Sequence, residues 1–209
     1  MATVQTTENK TLVRDAEVEN APLVIVYRGL GPETGPDYAW DKAEWMMGQI
    51  EDALSDDLLK KIIFVVPDDY NQDCETCIQQ ATAKIKAKVT GFSICGFSKG
   101  GAPLYNNLRL RAWKIVGLID PVSPSMEGLD NEIVDKYASK IRCVYGDWGD
   151  KPAEDKDPKA YTKKERVYVK KRDFHAHVKG LKGAQQVFRS EGHPQMPGIF
   201  FTKYGSAFV

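Results

Sequence analysis

From about residue 22 onwards, short apolar runs alternate with longer segments of helical period, and this alternation leaves the chain few architectures. Residues 23–27 (LVIVY), 62–66 (IIFVV), 92–97 (FSICGF), 115–119 (IVGLI), 141–145 (IRCVY) and 167–169 (VYV) read as strands. Several of these runs are apolar at every position, as strands covered on both faces must be. Between them, Met46, Ile50, Ala53 and Leu54 form one helical stripe, and Ile78, Ala81, Ile85 and Val89 form another. Strands separated by helices with connections of this length predict an α/β fold: a three-layer sandwich whose mostly parallel sheet has helices on both faces.

With 209 residues and 42% hydrophobic side chains, the chain can bury the core of one domain. The expected organisation is a polar N-terminal extension over residues 1–20 and a single domain over residues 21–209. Twenty-nine Lys and Arg balance 29 Asp and Glu, which argues against nucleic-acid binding. No run approaches the roughly 18 apolar residues of a membrane span. The first twenty residues lack the apolar stretch of a secretory signal, so a cytoplasmic location is expected. Residues 147–165 are dense in charge and read as a surface loop, whereas residues 198–209 could form an edge strand or a contact arm.

Four cysteines are too few for a disulfide framework in a chain of this length. Cys95 and Cys143 sit inside apolar runs and read as buried thiols. Cys74-Glu75-Thr76-Cys77 has the spacing of half a zinc site or a redox pair. No second pair accompanies it, so packed thiols at the start of a helix are the better reading, and no metal is expected.

Residues 91–110, GFSICGFSKGGAPLYNNLRL, place Gly96-Phe97-Ser98-Lys99-Gly100 between an apolar strand and a helical stretch. This is G-x-S-x-G in the context that gives it chemical meaning, a serine on a sharp strand-to-helix turn. The glycines leave room for strand and helix to approach, and the serine hydroxyl is exposed at the carboxyl end of the sheet. The competing reading is a glycine-rich turn whose Ser98 only caps the helix. A phosphate-binding loop is disfavoured because the G-x-x-x-x-G-K-[ST] spacing is not met.

Over roughly residues 21–190 the chain resembles the α/β-hydrolase family. The resemblance implies an oxyanion hole after the first core strand, where Arg28-Gly29-Leu30-Gly31 stands and Arg28 replaces the family's usual histidine. It implies that the backbone N–H groups of Leu30 and Lys99 face the developing oxyanion. It also implies the order nucleophile, acid, base, with the base after the final core strand. If residues 167–169 are that strand, His175 is the base and His177 its alternative, with a helix through Val178, Leu181, Ala184 and Phe188 to follow. His193, in Gly-His-Pro, reads as a loop residue. The acid is expected at Asp150, with Asp147 and Asp120 as alternatives, the last at a station used in some lipases.

The activity so implied is that of a serine hydrolase cleaving an ester, thioester or amide through Ser98, His175 and an aspartate, without cofactor or metal. The substrate would be a small molecule or an exposed ester or amide. An acyltransferase would use the same serine, and a non-catalytic binding protein on the same fold is the alternative from another class. Only about twenty residues (121–140) connect the strand ending near Asp120 to the next, too few to roof the site as well, so an open, lidless cleft is expected.

Overall fold

The computed structural model describes residues 4–7, 10–30, 42–69, 71–146 and 151–209. Its centre is an eight-stranded sheet in the order β1-β2-β4-β3-β5-β6-β7-β8. The strands are β1 Val4–Thr6, β2 Leu12–Arg14, β3 Asn20–Tyr27, β4 Ile63–Val66, β5 Lys88–Phe97, β6 Val116–Ile119, β7 Ile141–Gly146 and β8 Gln185–Arg189. From β4 to β8 every pairing is parallel, while β1 and β2 add to the β4 edge antiparallel. The first residues, expected as a polar extension, therefore supply two strands of the sheet. Leu12 and Val13 are buried there, and β2 shields the backbone edge that β4 would otherwise present.

Among the described residues six α-helices cover the sheet: α1 Ala43–Ala53, α2 Asp56–Leu59, α3 Cys74–Thr82, α4 Gly101–Asn107, α5 Lys163–Gly180 and α6 Met196–Tyr204. Alternation along the strands sorts the core into two. Leu23, Ile25, Tyr27, Ile63, Val65 and Ile94 meet α3, α4 and α5 on one face. Val24, Val26, Phe64, Val66, Cys95 and Phe97 meet α1 and α6 on the other. The tail from residue 198 is thus neither strand nor arm. Phe200 and Phe201 in α6 are buried because they close the second face. Cys74, Cys77, Cys95 and Cys143 are all buried and all free. Burial pushes the Cys74 and Cys77 thiols up to about 12. No described helix is long and apolar enough to cross a membrane.

Two further segments differ from the sequence reading, and they are linked. Residues 167–169 are not a strand but lie within α5. That helix starts at a reciprocal capping box: the Glu165 N–H donates to Thr162 Oγ1 at 3.2 Å, and the Thr162 N–H donates to Glu165 Oε2 at 2.7 Å. Residues 185–189, expected at the end of a helix, form β8, the last strand, paired in parallel with β7. The second helical stripe is also shorter than expected: α3 ends at Thr82, and Val89 already belongs to β5.

Candidate active site

β5 and β6 are parallel neighbours in which Phe97 stands opposite Ile119. Both strands stop at that level, so Ser98 and Asp120 stand side by side at the carboxyl edge of the sheet. Both have left-handed backbones, with φ of 53° and 43°. For a residue other than glycine that region costs on the order of 1–3 kcal/mol and persists only where the surroundings enforce it. Here they do. A Cβ on Gly96 would lie 2.5 Å from the Gly100 carbonyl oxygen, and one on Gly100 would strike the carbonyls of Tyr27 and Arg28. The Val122 N–H donates to the Ser98 carbonyl at 2.9 Å and ties the two turns together.

On the other side of β5 runs β3, with Tyr27 opposite Gly96. The segment Arg28-Gly29-Leu30 therefore passes the serine closely: a Cβ on Gly29 would lie 2.9 Å from Ser98 Cβ. Arg28 is buried and holds this segment from inside. Its Nη1 donates to the Gly29 carbonyl at 3.0 Å, and its Nη2 donates to the Asp68 carbonyl. Leu30 is exposed, and beyond Ser98 a 3-10 turn, Ser98–Gly100, leads into α4. The Lys99 side chain pairs with Glu127.

Asp120 is wholly buried and has three donors on its two oxygens. Oδ2 lies 2.5 Å from His193 Nδ1. Oδ1 accepts from the Gly146 N–H at 3.1 Å and pairs with Lys171, a buried lysine of α5 that also donates to the Gly146 carbonyl at 3.1 Å. Burial by itself would raise the carboxyl, but His193 and Lys171 outweigh it and hold Asp120 below the usual carboxylate range. His193 opens a 3-10 turn just after β8, and its ring centroid lies 4.7 Å from that of Phe97, the residue before Ser98. Asp120 and His193 are thus in contact beside the turn that carries Ser98.

The other candidates are placed elsewhere. His175 lies in the middle of α5, 4% exposed, stacked on Tyr145 with centroids 3.9 Å apart. Its Nδ1 is 3.9 Å from Cys143 Sγ. Burial, helped by the charge of Lys171, pushes its imidazole down to about 3, so it stays neutral and is a weak base. His177 Nε2 contacts Asp135 Oδ1 at 2.7 Å on the outer side of α5. Asp147 and Asp150 lie outside the described residues. His193 follows the last strand, which is β8 and not residues 167–169.

No family model and no curated protein matches the chain. Solved structures do match over its whole length. A ferulic acid esterase superposes with a TM-score of 0.58 at 12% identity, covering 100% of this chain and 98% of that one. The siderophore hydrolase EstB from Aspergillus nidulans gives 0.54 at 10%, covering 100% and 94%. An S-formylglutathione hydrolase from Agrobacterium tumefaciens gives 0.52 at 13%, covering 99% and 91%. A largely parallel sheet covered on both faces, shared end to end with esterases and hydrolases, is the α/β-hydrolase fold, and this chain has it.

Proposed function

We propose that this chain is a serine hydrolase acting on an ester, thioester or amide, with Ser98 as nucleophile, His193 as general base and Asp120 as the acid that orients it. The observation that carries this reading is the 2.5 Å contact between His193 Nδ1 and Asp120 Oδ2 beside the left-handed turn at Ser98. With Nδ1–H on the carboxylate, Nε2 takes the serine proton as Oγ attacks the carbonyl carbon. The imidazolium returns that proton to the leaving group, and water then cleaves the acyl-enzyme by the same route. Asp120 stabilises the imidazolium without itself becoming protonated. The backbone N–H groups of Leu30 and Lys99 receive the oxyanion, each contributing about 3–4 kcal/mol in the transition state. Hydrolases of esters and of a glutathione thioester on the same fold support this bond class.

A fluorophosphonate probe tests the assignment. It should label the native protein and leave Ser98→Ala unlabelled. His193→Ala should slow labelling about a thousandfold or more, while His175→Phe labels at the native rate. Rapid labelling of a folded His193→Ala variant would place the base elsewhere.

A further inference from the structure

We propose that the groove between α5 and the segment after Asp120 binds an extended, carboxylate-bearing chain, which makes the substrate at Ser98 an ester or amide of an acidic oligomer. The substrate part of this proposal rests on the hydrolase reading, whereas the binding part has its own geometry. Although the chain as a whole is neutral, α5 carries seven Lys and Arg against two acidic residues. Lys163, Arg166 and Lys170 stand at i, i+3 and i+7, which puts them on one face of the helix. Together with Met126 and Val167 they line a cavity of about 450 Å³. That volume falls within the range of roughly 300–1,000 Å³ in which small ligands are held.

Three acids of α5 and of the segment after Asp120 are engaged by other cations. Glu165 is held by Lys156 at 2.7 Å, Asp173 by Arg172 at 2.9 Å, and Glu127 by Lys99. Among the described residues no carboxylate pairs with Lys163, Arg166 or Lys170. Backbone carbonyls position two of them instead: Arg166 Nε donates to Tyr161 at 3.0 Å, and Lys170 Nζ donates to Ser125 at 3.3 Å. Carbonyls fix where these side chains lie without cancelling their charge, so the groove concentrates anions.

Position and length define the occupant. The segment that begins at Asp120 bonds to Ser98 through Val122 and reaches the groove four residues later at Met126. From Lys163 to Lys170 the helix rises about 10 Å at ~1.5 Å per residue. Side chains on one face of an extended chain recur every ~6.6–6.8 Å, so such a row meets two or three of its charges. The apolar contribution of Met126 and Val167 suits the methylene stems of carboxylate side chains and gives nothing to a polyphosphate.

The test is binding of a hexaglutamate peptide bearing a neutral fluorophore, followed by anisotropy on the full chain carrying Ser98→Ala. We expect saturable binding that weakens about tenfold or more when Lys163→Gln, Arg166→Gln and Lys170→Gln are added, since three exposed attractions are lost together. Circular dichroism on the same sample reports that the fold is kept. Unlabelled hexaglutamate should also compete with 4-nitrophenyl butyrate for the native protein. Equal binding of hexaglutamine, undiminished binding by the charge-free variant, tighter binding of tripolyphosphate, or binding without competition each overturns the proposal. If the butyrate ester is never turned over while binding still depends on the three cations, the hydrolase reading falls and the acidic-chain site stands.

Discussion

A buried aspartate with an imidazole on one oxygen and a lysine on the other sits in an environment that keeps it ionised, and Asp120 is so placed. His175 is the opposite case, because burial without a carboxylate keeps it neutral. In the unfolded chain it titrates near pH ~6.5, whereas in the folded chain it refuses the proton down to about 3. The unfolded state therefore binds the extra proton between those values. The contribution is complete above pH ~6.5 and falls as the pH drops towards 3, by up to about 1.4 kcal/mol per pH unit. His175→Phe keeps a flat ring against Tyr145 and removes the titration. Urea denaturation at about pH 6 and about pH 4 should show a shallower loss of stability for the variant than for the native protein. Equal slopes would mean that His175 is protonated in the fold. None of this environment is legible in sequence, where His175, His177 and His193 are three similar residues; the partners that separate them come from β6, β7 and distant loops.

At the scale of elements, legibility follows burial. The central strands are readable because each is packed on both faces, so composition alone betrays them. The last strand is not. β8 is an edge strand, half exposed, with Phe188 48% accessible, so no apolar alternation marks it. The run Val167-Tyr168-Val169 has strand propensity, but the Thr162–Glu165 cap starts a helix there, and the stripe Lys171, Phe174, His175, Val178 anchors it. Placing the last strand at residues 167–169 makes His175 the histidine that follows it, whereas β8 is followed by His193; the turn at Ser98 is readable because its glycines lie within two residues of the serine. One glycine makes the element scale testable. Gly48, inside α1, has nothing within 4 Å of an added Cβ, so Gly48→Ala should raise stability by about 0.5–1 kcal/mol in thermal or urea melts. No gain in either melt would show that this helical site needs the freedom of glycine.

Over the whole molecule, the sheet divides the interior into two apolar layers. The four cysteines are spread through these layers, two in α3 and one each in β5 and β7. Because none reaches solvent, the protein carries its own clock of opening. In native buffer Ellman's reagent should find no thiol to react with, and oxidants should leave the chain unlinked even without added reductant. Each thiol should begin to react only when the layer around it parts. In dilute urea the order of labelling, read by mass spectrometry, therefore ranks the opening of α3 against that of the central strands. Prompt reaction of all four in native buffer would mean that these layers part far more often than their packing suggests.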